Sequence, residues 1–252
     1  EVDRAIRLHQ GLVQRNDLSD QQRVLALLAL GEDYMKSGLL DRAETVFTDL
    51  ARIDERAPQA LKHLLGIYQA ERDWERAIDN ATRYEEVTGE PMGKLVAQFE
   101  CELAERHRAN GELDAARAAI ARAYQADAGS VRAGILEGRI EAGAGNPDAA
   151  IRAYERAARH DPDYLPEFLP SLLACYGEVG DTAGARAFLA EMSEHYRGIA
   201  PVLALTGLIE AQEGAQAARD YLGRQLKDRP SVRGEAALID LTLAVGADST
   251  AT

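Results

Sequence analysis

The feature that most constrains this chain is the return of the same residue types at intervals close to 34 residues. Tyr34 and Tyr68 are 34 residues apart, and alanines of one phase follow each other at Ala43, Ala77, Ala116, Ala150 and Ala185. A glycine stands five residues before four of these alanines, at Gly38, Gly111, Gly145 and Gly180. A fixed interval over most of a chain indicates stacked copies of one structural unit.

Each copy, which we call a repeat, is predicted to be two helices joined by a tight turn. With the alanines at position 20, the glycine at position 15 supplies a positive φ, and the alanine lets two antiparallel helices approach closely. Large residues at positions 11 and 24 fill the space between helices, namely Tyr34, Tyr68, Tyr176, Phe47, Tyr154 and Leu189. The pattern resembles the tetratricopeptide repeat family, which implies an all-α fold, a right-handed superhelical solenoid of antiparallel helix pairs.

The repeat phase also predicts the boundaries of the elements. Residues 1–16 form the second helix of a repeat whose first helix is missing, and residues 20–228 hold about six helix pairs. Segment 231–245 is one further helix, and 246–252 is a frayed tail. The pairs are expected at roughly 20–53, 57–88, 94–127, 130–161, 164–197 and 199–228, with five extra residues between Ala77 and Ala116 placed in the loop at 88–93.

Composition and motifs exclude several classes of function. The 42 acidic against 29 basic residues give a net charge of -13, which disfavours a nucleic acid partner. No apolar run is long enough to predict a membrane span, and the two cysteines lie far apart. The five histidines have no second histidine at metal-ligand spacing, and no phosphate-binding loop or catalytic motif is present. We therefore predict a protein that is not an enzyme and holds no cofactor in this chain.

The expected interaction surface is the concave groove that the first helices line. Positions 2, 5, 9 and 12 of each repeat, with a neighbouring lysine, should project into it. The residues predicted to bind a protein partner are Glu32, Met35, Lys36, Lys62, Gln69, Gln98, Glu105, Arg108, Arg132 and Arg139. This mixture of both charges with amides favours a folded partner or an extended internal segment over a chain-terminal carboxylate.

Several longer runs go beyond the general repeat pattern. They are EVDRAIRLHQ at 1–10, ALGEDYMKSGLLDRAETVF at 29–47, LLGIYQAERDWERAI at 64–78 and CELAERH at 101–107. In these runs the chain resembles the repeat region of the lipopolysaccharide assembly protein B family of Gram-negative bacteria. The resemblance implies a non-catalytic adaptor on the cytoplasmic face of the inner membrane, which regulates lipopolysaccharide biosynthesis by coupling the deacetylase LpxC to the membrane protease FtsH.

The same resemblance implies parts that this sequence does not contain. Family members carry an N-terminal membrane anchor and a C-terminal zinc-binding domain, and neither is expected among these 252 residues. The alternative is a generic repeat module that binds peptides or self-associates into a homo-oligomer. In that case its edges or first helix would form the contact, through the apolar side chains of Ile6, Leu8 and Leu12.

Overall fold

Helices form most of the residues that the structure describes. A computed structural model describes residues 1–53 and 57–250, with the side chains of 247–250 excepted. Fourteen α-helices and one short 3-10 helix, Pro162–Tyr164, are joined by turns and short loops, and these described residues include no β-strand. The predicted all-α, tetratricopeptide-type fold is confirmed.

The chain divides into two compact units, each with its own apolar core. The N-terminal unit, Glu1–Ala128, holds α1 Val2–Val13, α2 Asp20–Lys36, α3 Leu40–Leu50, α4 Ala57–Glu71, α5 Trp74–Thr88, α6 Gly93–Ala109 and α7 Leu113–Ala126. The C-terminal unit, Gly129–Thr252, holds α8 Val131–Gly143, α9 Pro147–His160, α10 Leu165–Val179, α11 Thr182–His195, α12 Ala200–Glu213, α13 Ala215–Asp228 and α14 Val232–Thr250. Within each unit, consecutive helices pack on one another in chain order.

The turns inside the first five helix pairs share one hydrogen-bonding pattern. The residue at position 16 donates its backbone N–H to the carbonyl of position 11, as Leu39 does to Tyr34 at 2.9 Å. The residue at position 15 has a positive φ in all five turns, with glycine values between 72° and 78°. In the second repeat Arg72 takes the glycine's place and adopts a φ of 56°. The turn geometry therefore persists where the glycine is missing.

Small and large side chains complement each other between the two helices of a pair. Ala43, Ala77, Ala116 and Ala150 are completely buried at the helix crossing. Position 8 is glycine in two repeats where position 24 is a large aromatic residue. A Cβ at Gly31 would lie 2.7 Å from the ring of Phe47, and Gly138 faces the ring of Tyr154 in the same way. The helices pack closely because these positions carry no side chain.

Side chains on second helices or just after them also hold neighbouring repeats together. Arg83 donates to the carbonyl of Ala51 at 2.7 Å, and Arg229 donates to that of Tyr196 at 3.0 Å. Each contact joins residues 32 or 33 apart in sequence and satisfies a carbonyl just after a second helix. The buried Asn80 acts within its own repeat and donates to the carbonyl of Leu61 at 2.6 Å.

The structure differs from the expected boundaries at two places. The connection Gly89–Met92 is as short as those at 127–130 and 161–164, so the extra residues of the third repeat lie mainly in the first turn of α6 and not in a long loop. Gly93 permits this extension, because a Cβ there would lie 2.5 Å from the carbonyl oxygen of Ala126. Helix α14 continues past residue 245 to Thr250, since no proline interrupts it, and residues 251 and 252 of the predicted tail lie outside the described residues.

Candidate protein-interaction surface

The ten residues predicted to bind a partner all lie on first helices of repeats. In the N-terminal unit they belong to α2, α4 and α6, where Lys36, Lys62, Gln69 and Gln98 are exposed and Glu32, Met35, Glu105 and Arg108 are half-buried. In the C-terminal unit Arg132 and Arg139 lie on α8, and both are exposed. Each of these side chains is thus at least partly accessible to a partner. Their role in binding stays a prediction.

The structure brings the α2 residues against the matching face of α4. Glu32 Oε1 lies 3.6 Å from His63 Nε2, and the methyl group of Met35 lies over Gly66, 3.9 Å from where a Cβ would stand. The His63 ring stacks on Phe47 with centroids 4.5 Å apart. Burial lowers the pKa of His63, and the nearby Glu32 carboxylate opposes this shift. This part of the surface therefore combines a carboxylate with a thioether and an imidazole that favours its neutral form.

Two predicted binding residues satisfy each other. Arg108 donates from Nε and Nη2 to the two carboxylate oxygens of Glu105, each at 2.8 Å. This hydrogen bonding raises the pKa of Arg108. A partner that uses either residue must compete with a two-point ion pair, so both charges are less available than the sequence pattern indicates.

The two arginines of α8 lie on one helical face, seven residues apart. Ile135, between them in sequence, is buried, whereas Arg132 and Arg139 are exposed. Both arginine side chains are therefore accessible on this face of α8. Such a pair suits an acidic segment of a partner.

The predictions stopped at the fourth repeat, although the same positions continue beyond it. Applied to α10 and α12, the phase gives six further exposed residues, Glu167, Pro170, Ala174, Gly177, Gly207 and Glu210. The side chains on these helices are short or acidic. The repeat phase was the signal that would have identified them, since Glu167 and Ala174 follow Arg132 and Arg139 by 35 residues, as Ala185 follows Ala150.

No group of three or more His, Cys, Asp or Glu in residues 1–53 and 57–250 is arranged to hold a metal ion. In the same part of the chain, no helix has the length and apolar character that crossing a bilayer requires. Cys101 and Cys175 are both buried and are not joined by a disulfide, and burial raises the pKa of the Cys175 thiol.

Comparison with curated proteins confirms the resemblance that the sequence motifs indicated. The chain is 38% identical over 243 residues to lipopolysaccharide assembly protein B of Escherichia coli strain K12, covering 96% of this chain and 62% of the relative. It is 31% identical over 231 residues to the protein of the same name from Haemophilus influenzae, covering 92% of this chain and 58% of the relative. The match thus spans about three fifths of the relatives' length. No family model matches the chain.

Among solved structures, the similarities are lower. A crystal structure of MamA aligns with a TM-score of 0.40 and 23% identity, over 66% of this chain and 86% of that one. A tetratricopeptide repeat protein from Parabacteroides merdae aligns with a TM-score of 0.40 and 15% identity, over 96% of this chain and 92% of that one. The fold assignment rests on the helices and turns described above.

Proposed function

From its similarity to lipopolysaccharide assembly protein B over nearly all of its residues, we propose that this chain is a non-catalytic protein-binding scaffold in the regulation of lipopolysaccharide biosynthesis. The 38% identity over 243 residues is the observation that carries the proposal. The architecture supports it, because stacked helix pairs present long rows of exposed side chains, which repeat proteins use to bind other proteins. No cofactor takes part in the proposed function.

The specific partners we propose are the deacetylase LpxC and the membrane protease FtsH. The chain would act at the cytoplasmic face of the inner membrane and hold the substrate beside the protease. Two proteins bound to one scaffold meet as if at high local concentration, which raises apparent affinity by roughly 10²–10⁴ where the geometry allows. This mechanism requires binding and orientation and no chemical step on the scaffold.

We propose that partners dock on the first helices of each unit. Lys36, Lys62, Gln69 and Gln98 are exposed on one unit, and Arg132 and Arg139 on the other. Exposed charged side chains contribute little to folding stability. Those on the first helices can therefore serve recognition. Arg139 and Arg132 offer the sharpest test, since reversing their charge leaves the apolar core untouched.

The test measures binding of the purified chain to purified deacetylase and, separately, to the protease in detergent or nanodiscs. Biolayer interferometry compares the native sequence with the double variant Arg132→Glu and Arg139→Glu. We expect the variant to bind one of the partners at least about tenfold more weakly, because a close charge pair at an interface is worth one or more kcal/mol. Thermal unfolding should be nearly unchanged.

A matched variant controls for the total change in charge. Arg152→Glu and Arg224→Glu reverse two exposed arginines on the second helices α9 and α13, and binding should stay near the native level. If the native chain binds neither protein, the proposed partners are wrong. If it binds and both double variants bind equally well, the docking surface does not include Arg132 and Arg139.

A further inference from the structure

Two connections between repeats in the C-terminal unit carry positive charge. They are 196–199, between α11 and α12, and 229–231, between α13 and α14. Each contains one arginine, Arg197 or Arg229, and no acidic residue. The three connections between repeats that precede them contain acidic residues and no Lys or Arg: 89–92, 127–130 and 161–164. A protein of net charge -13 thus has a local excess of positive charge at this place.

The two connections border an open cleft with a volume of about 570 Å³. Arg197 and Arg229 line it together with Ile199, Pro230 and Asp228. Ligand pockets on proteins commonly have volumes of about 300–1,000 Å³. The cleft is therefore large enough to hold more than a single small ion, and its lining combines guanidinium groups with apolar side chains.

Contacts between the two connections fix the walls of the cleft. Arg229 donates from Nη1 to the carbonyl of Tyr196 at 3.0 Å. The ring of Tyr196 lies over Gly198, where a Cβ would collide with it. Ile199 Cδ1 lies 3.5 Å from where a Cβ would stand on the buried Gly234, in the first turn of α14. Because the walls are already held together, a ligand would not have to order them.

The positive charge of the cleft is available to a ligand. Arg197 is exposed, and within the described residues neither Arg197 nor Arg229 forms an ion pair with a carboxylate. Arg159 of the same unit, by contrast, pairs with Glu191. Apart from Nη1, the N–H groups of Arg229 have no acceptor in the described part of the chain. Helices α12 and α14 begin at the cleft, and the positive ends of their dipoles add to its charge.

We propose that this cleft binds an extended acidic segment of a protein partner. One carboxylate of the segment lies between Arg197 and Arg229, and a neighbouring apolar side chain packs on Ile199. Guanidinium groups bind carboxylates through paired hydrogen bonds, and arginine clusters recognise acidic motifs in many proteins. With Asp228, the two arginines give the lining a net charge of 2 − 1 = +1, which suits one carboxylate better than a doubly charged phosphate.

The cleft would be a second docking site in the C-terminal unit. None of the ten residues predicted to bind a partner in the groove lines it. A scaffold that holds a substrate beside a protease needs two docking sites that do not overlap, and in this respect the cleft rests on the proposed function. Its affinity for an acidic segment does not depend on which protein supplies that segment.

Fluorescence anisotropy tests the binding on the 252-residue chain. The probe is a short fluorescein-labelled peptide of alternating leucine and glutamate, and a peptide with glutamine in place of glutamate is the control ligand. We expect the native sequence to bind the glutamate peptide and not the glutamine peptide. Arg197→Glu should weaken binding at least about fivefold, because repulsion replaces attraction at close range.

Arg152→Glu is the matched control variant. It makes the same change of charge on α9, outside the cleft, and should bind the glutamate peptide like the native sequence. Arg152 and Arg197 are both exposed, so both variants should fold, which circular dichroism verifies. In NMR spectra the amide resonance of Gly198 should shift when the glutamate peptide is added. That of Gly145, in the turn between α8 and α9, should not.

Several results would overturn the proposal. They are no binding of the glutamate peptide by the native sequence, equal binding by the native sequence and Arg197→Glu, or peptide-induced shifts that spare Gly198. Inorganic phosphate that displaces the peptide at matched ionic strength, where chloride does not, would make the cleft a phosphate site. Phosphatidylglycerol vesicles that bind the native sequence but not Arg197→Glu, without any peptide binding, would make it a membrane contact. No deacetylase or protease is present, so failure here is distinguishable from failure of the proposed function.

Discussion

Replacing Arg72 by glycine should stabilise the protein. Arg72 is exposed and holds the left-handed turn conformation, with φ at 56°, that glycine holds in the equivalent turns. A residue with a Cβ loses about 1–2 kcal/mol in this conformation. Glycine offsets part of the gain, because it adds about 0.4–1 kcal/mol of conformational freedom to the unfolded chain. The net expectation for Arg72→Gly is a gain of about 0.5–1 kcal/mol.

Urea unfolding measures this gain with a probe close to the turn. Trp74 is the chain's single tryptophan, begins α5, and stacks on Phe99 with ring centroids 5.8 Å apart. Its fluorescence therefore reports on the packing of the second and third repeats, and circular dichroism follows the whole chain. With a slope of about 2–3 kcal/mol per molar urea, the midpoint should rise by about 0.2–0.4 M.

Gly111→Ala is the matched control. Gly111 occupies the same position in the third repeat, with a φ of 78°, and a Cβ there would meet no atom within 4 Å. Any loss is thus conformational and not steric, and we expect the free energy of unfolding to fall by about 1 kcal/mol, which lowers the urea midpoint. A midpoint for Arg72→Gly that is unchanged or lower than the native value would refute the reasoning, because it would show that the arginine side chain outweighs the strain of its backbone.

Three further predictions concern the packing of the repeats, a buried hydrogen bond and the titration of His63. Ala43→Leu or Ala150→Leu should destabilise the fold by about 1–3 kcal/mol in urea unfolding, because both sites are fully buried at a helix crossing, and an unchanged midpoint would disprove close packing there. Asn80→Ala should cost about 1–3 kcal/mol, since it leaves the Leu61 carbonyl without its 2.6 Å hydrogen bond, and the same unfolding assay should show no such loss for the exposed Thr82→Ala. Burial lowers the pKa of His63 in the folded state below its ordinary value of 6.5. The stability that the neutral imidazole contributes is therefore fully present above pH 6.5 and is lost as the pH falls through the folded-state pKa. An NMR titration that gives a pKa of 6.5 or higher for His63 would contradict this expectation.

The sequence predicts most of the fold because its repeat positions have single physical roles. A fully buried alanine, a positive-φ glycine and a large residue at position 24 each recur at one spacing, and the structure uses them at Ala43, Gly38 and Phe47 as expected. Arg72 shows why the glycine signal alone is insufficient. The hydrogen bond from Asp73 N–H to the Tyr68 carbonyl, at 2.9 Å, and the Asp73 side chain capping Arg76 N–H hold the same turn without it.

The candidate surface was harder to predict, since it depends on which side chains meet after folding. The spacing places Glu105 and Arg108 on one helical face but does not show that they form a two-point ion pair. It places Ile6 among apolar neighbours of α1 but not on its buried side. The periodicity also runs through residue 128 without a break, although the chain divides there into two compact units. The ion pair, the buried side of α1 and the division into two units all depend on which side chains meet after folding. No short sequence motif indicates such contacts.

Several charged side chains of the second helices form ion pairs that connect neighbouring repeats. Arg159 on α9 contacts both carboxylate oxygens of Glu191 on α11, at 2.9 and 3.1 Å, and Arg76 on α5 pairs with Glu44 on α3. These pairs join residues 32 apart, so the same repeat spacing that stacks the helices also aligns opposite charges. A partner that bound there would have to break existing ion pairs before forming its own. Lys62 and Gln98 are exposed at positions predicted to line the groove, and Lys36 is exposed beside Met35, so we expect charge changes on first helices to affect binding more than equal changes at the paired arginines.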